Sequence, residues 1–211
     1  MQNCILSTAY FGNIQYFTKL ILYKNIFIEK YENYSKQSYR NRFEILSANG
    51  ILSLSIPIKK TNELKTPISQ IQIDYTENWQ KNHLKSVESA YKSSPFYEYY
   101  IDDFINFLTK KHDNLLEFNT QITKEIAKSI GFNLEIKFSN EFEIQNENFR
   151  DFRNSIHPKQ KMQSVDNEFK IVKYYQVFEN KHPFAQNLSI LDLLFNEGPK
   201  TKEILKKSIE I

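Results

Sequence analysis

The chain has 211 residues, 40% hydrophobic and 15% aromatic, enough core-forming side chains to exclude an intrinsically disordered protein. At this length roughly 70% of the unfolded surface can be buried, so stability requires neither disulfides nor a structural metal. Its 28 Lys and Arg are interleaved with 25 Asp and Glu along the whole length, which argues against a nucleic-acid partner. The 4 Gly form no Walker or dinucleotide-type phosphate loop, so those nucleotide-binding classes are excluded and no cofactor is expected.

In chain order, residues 4–10 read as a short apolar strand, and Gly12-Asn13 then punctuates the chain. Apolar spacing at Ile14, Phe17, Leu20 and Ile21 predicts a helix, and Ile26-Phe27-Ile28 a second strand, the strand-helix-strand unit from which parallel sheets are built. Residues 42–47 and 51–58 are extended runs joined across Asn49-Gly50, a pair suited to a type I′ hairpin turn. Ile71 and Ile73 suggest a further strand. From about Asn78 the pattern turns helical, with stripes through Tyr97, Tyr100, Phe104 and Leu108, and then through Leu115, Phe118, Ile122, Ile126 and Ile130, closing at Gly131. Residues 133–138 alternate like a strand, 139–166 read as a polar loop, and 170–178 as a last strand. Asn187 is placed to cap a helix over 188–196, stopped by Gly198-Pro199 and followed by a charged tail helix. The predicted fold is α/β, a mixed sheet packed by several amphipathic helices, in a single domain over 1–211.

The sole cysteine, Cys4, has no partner for an internal bridge, which fits a reducing compartment. No apolar run is long enough to span a bilayer, and the first residues lack the basic region of a signal peptide. A cytoplasmic protein without a membrane span is therefore expected. His83, His112, His157 and His182 fall in no paired ligand motif, so no metal is predicted.

Some polar residues fall where burial is expected. On a helical wheel His83 shares an arc with Trp79, Leu84, Val87, Ala90 and Tyr91, with Glu88 at its edge. It reads either as a general acid or base or as a neutral core histidine with a satisfied hydrogen bond. Asn119 interrupts the stripe from Leu115 to Ile130, and its amide must hold a loop, a ligand or a neighbouring backbone group. Ser189, Asp192 and Asn196 share one side of the last long helix, as a pocket wall or as a solvated face. Two guanidinium groups in Tyr39-Arg40-Asn41-Arg42 match phosphate or carboxylate, and the aromatics around Tyr91 and Phe96 suit either sugar stacking or a core.

These residues carry a resemblance to the WbqC-like family. The matching segments are Tyr10-Phe11 with Tyr16-Phe17, Glu32-Asn33-Tyr34, Gln37 through Arg42, Trp79 with His83, Glu88 and Tyr91, Ser94-Pro95-Phe96, Tyr175-Gln176-Val177-Phe178, and Asn187 through Gly198. Gly12-Asn13 departs from the proline usual near the family's first strand. The resemblance implies a cytoplasmic protein of surface-polysaccharide or O-antigen assembly, and by association an amide-forming acyl- or aminoacyl-transferase acting on a nucleotide-linked amino sugar. In that scheme His83 deprotonates the amine and Glu88 orients it, although a five-residue spacing sets the two roughly 140° apart on one helix. Arg40 and Arg42 hold phosphate or carboxylate, and Tyr10, Asn41, Tyr91, Asn119, Gln176, Asn187, Ser189 and Asp192 complete the substrate site. The alternative is a non-catalytic binding or scaffold protein in which these polar groups are structural.

Overall fold

The structure, a computed structural model, describes residues 3–60, 65–140, 149–159 and 163–210. Strand β1 (Asn3–Leu6), helix α1 (Ile14–Leu22) and strand β2 (Asn25–Ile28) form the expected parallel unit, with Asn3 opposite Asn25 and Leu6 opposite Ile28. The first strand stops earlier than its apolar run does. Glu29 ends the pairing partner by donating its N–H to the Leu6 carbonyl at 2.9 Å, and residues 7–11 then fold over the carboxyl edge of the sheet.

Strands β3 (Arg42–Ser47) and β4 (Gly50–Ser55) make the predicted hairpin, but as a separate two-stranded antiparallel sheet. Its turn also differs from type I′. Ser47 pairs with Gly50, so Ala48 and Asn49 are the central residues; both keep negative φ, and the left-handed position falls on Gly50 at φ 102°. Glycine adopts that conformation with less strain than asparagine, which moves the reversal one residue along.

Helices α2 (Trp79–Tyr91), α3 (Tyr97–Ile105) and α4 (Leu115–Ile130) follow their predicted faces. Asn114 caps α4 by accepting the Glu117 N–H at 3.1 Å, and Gly131 closes it in the left-handed conformation. Ile73 forms an isolated bridge with Ile58 and Gln72 one with Asn114, while Ile71 accepts the Leu115 N–H at 2.9 Å, so no strand forms there. Strand β5 (Ile136–Phe138) pairs parallel with β2, and β6 (Phe149–Asp151) pairs parallel with β1, giving the order β5-β2-β1-β6. β6 lies within the stretch read from sequence as loop, of which residues 141–148 and 160–162 lie outside the described residues. No strand forms over 170–178; Tyr174 and Gln176 are held there by side-chain bonds to Asp192 instead of by a neighbouring strand.

Helix α5 (Ile190–Glu197) is buried along residues 190–196 and packs against α1, α2, α3 and β3, so a sequence that is apolar nearly all round suits it. Its cap is Ser189, whose Oγ accepts the Leu191 N–H, and not Asn187. After α5, Gly198 takes φ 52° with the Phe96 ring against it, where an added Cβ would sit 2.5 Å from that ring. Helix α6 (Thr201–Lys207) then packs on α1, anchored by the buried Leu205. Among the described residues no helix is long and apolar enough to cross a membrane.

Candidate functional site

The strand order places β2 and β5 on one side of β1 and β6 on the other, so the chain diverges beyond the carboxyl ends of β1 and β6. In open parallel sheets such a switch point is where ligands bind. Here its centre is plugged. Arg40 lays Nε and Nη2 on the two Glu32 carboxylate oxygens at 2.8 and 2.5 Å, and Nη2 also donates to Ser7 Oγ at 2.7 Å. What remains among Leu6, Ser7, Thr8, Tyr39, Phe152 and Ile156 is about 10 Å³, the room of one water.

The open space lies one step outward, across Tyr39. A cleft of about 460 Å³ is bounded by Gln15, Tyr39, Glu44, Ser155, Pro158, Ser164, Asp166 and Asn187. A second cleft of about 310 Å³ shares Ser155, Ser164, Val165 and Asp166 with it and follows β6. The walls are ordered from beneath. Lys19, fully buried on α1, places Nζ 2.8 Å from Asp166 Oδ1 and 4.4 Å from the centre of the Phe152 ring. Gln15, one turn earlier on α1, donates to Asp166 Oδ2 at 2.8 Å and accepts from Asn187 Nδ2 at 3.1 Å. Breaking a buried pair such as Lys19–Asp166 typically costs about 3–5 kcal/mol, so this wall is stiff.

The helix end beside the cleft is already satisfied. The first four N–H groups of α1 go to the Leu188 carbonyl, Asn187 Oδ1, Asn13 Oδ1 and the Asn13 carbonyl. Asn187 takes the left-handed conformation at φ 53° and so caps a helix 172 residues away in sequence instead of its own. The cleft thus presents amides, carboxylates and hydroxyls, the groups that recognise a polyhydroxylated ligand.

Of the residues singled out from sequence, Asn187 lines this cleft and Arg40 lines the plugged depression. His83 is 3% exposed inside an aromatic shell, its Nδ1 3.0 Å from Tyr10 Oη and its ring 5.1 Å from that of Trp79. Burial pushes its pKa down to about 4, against a smaller opposing effect from the Ser55 backbone. None of the three clefts described is lined by His83. Glu88 cannot orient it: Glu88 is exposed and pairs with Lys92 at 3.1 Å, as the angular separation on one helix requires.

Asp192, Tyr91 and Gln176 do meet, away from these clefts. Asp192 Oδ1 accepts from Tyr91 Oη at 2.8 Å, and Oδ2 accepts from Tyr174 Oη at 2.6 Å and Gln176 Nε2 at 2.9 Å. Burial raises the Asp192 pKa above the usual carboxylate range despite these three donors. Ser189, Asp192 and Asn196 are all buried, so the side they share on α5 is neither a solvated face nor a wall of these clefts. Asn119 donates to the Arg40 carbonyl at 2.7 Å and Asn41 to the Ile56 carbonyl at 2.8 Å; both hold backbone. The Arg40 guanidinium expected to hold phosphate is occupied by Glu32, whereas among the described residues Arg42 has only a 3.4 Å bond to the Gln37 carbonyl and Glu44 at 4.0 Å.

Sequence reasoning missed Gln15, Lys19, Glu44 and Asp166. The available signal was Gln15 and Lys19 four residues apart on an otherwise apolar helix. Cys4 is buried, and burial pushes its thiol pKa up. Among the described residues, no group of three or more His, Cys, Asp or Glu side chains could hold a metal ion.

No solved structure matches the chain. The chain is 24% identical over 143 residues to the uncharacterized protein Rv1507c of Mycobacterium tuberculosis (strain ATCC 25618 / H37Rv). That alignment covers 67% of this chain and 59% of the relative, so the match spans less than two thirds of the relative's length. The model of the WbqC-like protein family matches residues 8–163, which include Tyr39 through Arg42 and His83 and stop short of Asn187 through Gly198; the chain belongs to the WbqC-like protein family.

Proposed function

We propose that the protein binds a nucleotide-linked amino sugar in the cleft between Tyr39, Asn187 and Asp166, and transfers an acyl or aminoacyl group to the sugar amine in surface-polysaccharide assembly. The observation that carries this reading is the polar cleft itself, whose amide and carboxylate walls are held in place by Lys19 and by the Gln15–Asn187 pair. Pre-ordered groups of this kind bind sugar hydroxyls without ordering themselves on binding. As the amine nitrogen attacks the acyl carbon, the bond from that carbon to the activated donor's leaving group breaks, and amide formation requires a group that accepts the amine proton and returns it to the departing group. Glu44 serves in that role through Oε2: it lines the cleft and among the described residues bonds through Oε1, to Ser53 Oγ at 3.1 Å, whereas both Asp166 oxygens are engaged. His83 acts as the structural partner of Tyr10.

A non-catalytic binding role is favoured by one observation, that His83, Asn119 and Asp192 bond to the protein's own interior. A thermal-shift panel of nucleoside-diphosphate amino sugars, acyl donors and amino acids separates the two. A ligand at 100 times its Kd stabilises the native state by about 2.7 kcal/mol, a readily measured rise in Tm. Under the transferase reading Asn187→Ala abolishes the rise, and Glu44→Gln keeps binding while turnover falls about 100-fold. No rise across the panel removes the transferase reading and leaves the binding protein.

A further inference from the structure

Two arginines two residues apart meet opposite fates. Arg40 spends Nε and Nη2 on Glu32 and Ser7, but Arg42 keeps a buried Nε with no hydrogen-bond partner among the described residues. A second orphan lies nearby. His157 is 7% exposed, and its Nδ1 accepts the Lys159 backbone N–H at 3.0 Å. A neutral imidazole that accepts at Nδ1 carries its proton on Nε2, and that nitrogen is also buried without a partner among the described residues.

Gln37 ties the group together. Left-handed at φ 56°, it offers its carbonyl to Arg42 Nη2 at 3.4 Å and its side-chain oxygen to Lys159 Nζ at 2.7 Å. Burial first, and then the positive charges of Arg40, Lys159 and Arg42, hold the His157 pKa below its usual range, which places all four in one electrostatic neighbourhood. The opposing carboxylates are Glu32, spent on Arg40, and Glu44, 4.0 Å from Arg42. The group borders the cleft, because Pro158, between His157 and Lys159, lines it together with Tyr39 and Glu44.

We propose that Arg42, His157 and Lys159 form an oxyanion subsite at the rim of the cleft that takes the diphosphate of a nucleoside-diphosphate ligand. Two unsatisfied buried donors and an ammonium with protons to spare call for an acceptor that is anionic and has several oxygens. A diphosphate meets donors arriving from three separate side chains, whereas a single carboxylate matches one guanidinium fork. The subsite deepens the proposed function and rests on it for the identity of the rest of the ligand.

The test is calorimetric titration of the full chain with inorganic pyrophosphate at low ionic strength, with ring ¹⁵N NMR of His157. Expected are saturable binding, a free-state His157 protonated on Nε2, and movement of that resonance on binding. Arg42→Gln and the exposed-site variant Lys159→Gln each weaken pyrophosphate at least 10-fold, while Glu88→Gln, on an exposed side chain that lines none of the three clefts, leaves it unchanged. Acetate at the same concentration does not compete; if it displaces pyrophosphate stoichiometrically, the diphosphate assignment is overturned in favour of a carboxylate. Absence of binding, equal binding by both folded variants, or a proton on Nδ1 overturns the subsite. Asn187-dependent binding of a free amino sugar without pyrophosphate binding defeats the subsite alone. Arg42-dependent pyrophosphate binding with no response to any amino sugar defeats the sugar reading and keeps the subsite.

Discussion

The helical side of the molecule and the carboxyl edge of its parallel sheet both bury polar groups, but they complete them differently. Around α2 and α5, Tyr10 meets His83, and Tyr91, Tyr174 and Gln176 meet Asp192 within the protein, while the isolated Trp79 Nε1 and Asn196 Oδ1 stay without a partner among the described residues and line none of the three clefts. At the sheet edge the Lys19–Asp166 and Gln15–Asn187 contacts leave a cleft of about 460 Å³, with donors near its rim that have no partner among the described residues. A closed network such as that around Asp192 specifies packing, because its carboxylate already has its donors; donors to spare beside an open cleft are arranged for something else to complete.

The sharpest way to break this comparison is Asp192→Ala. It orphans two tyrosine hydroxyls and one bond of Gln176, and a loss of about 3–5 kcal/mol is expected in urea unfolding. Stability within 1 kcal/mol of the parent would show that the network is not what holds α5 to α2.

Next is the acid limb. Because the folded pKa of His83 lies below its unfolded value, its contribution is complete above about pH 6.5 and is lost as pH falls from there towards about 4. The loss amounts to roughly 3 kcal/mol across that window. His83→Phe flattens the limb, and an unchanged slope in the variant would assign acid sensitivity to another group. Asp192 works in the opposite sense: its pKa is raised by burial, so its contribution is complete at low pH and declines as pH rises through the folded value.

A smaller effect sharpens the open side. Asn187→Ala removes the cap on α1 and puts alanine in a left-handed position, and about 1–2 kcal/mol of stability is expected to go. The accompanying loss of ligand response should be complete, a ratio that no residue of the closed network would give. Smallest of all, Glu88→Gln should stay within about 0.5 kcal/mol in thermal melts, and turnover should not change. A large change in either would restore Glu88 to the site.

Periodicity made much of the fold legible. The buried faces of α2 and α4 follow from apolar spacing, and so does the intrusion of His83 and Asn119 into them. β6 was not legible: of Phe149, Arg150 and Asp151 only one is apolar, and what makes the segment a strand is the free edge of β1 beside it. By local order Asn187 caps the helix that follows it, but in the structure its Oδ1 accepts the Gln15 N–H instead. Arg40 and Arg42 look alike in sequence; Glu32 and Ser7, brought to the end of β1 by the chain's return, decide which of them is spent.

The sequence alone therefore determined the strand-helix-strand opening, the hairpin, the helical faces and the burial of His83 and Asn119 on them, because those properties depend on residues within a few positions of one another. Only the tertiary structure decided which of the buried polar groups are satisfied and where a cleft stays open. Hydrogen-bond partners such as Tyr10 and His83, 73 residues apart, or Gln15 and Asn187, 172 apart, are chosen by packing, to which separation along the chain is no guide.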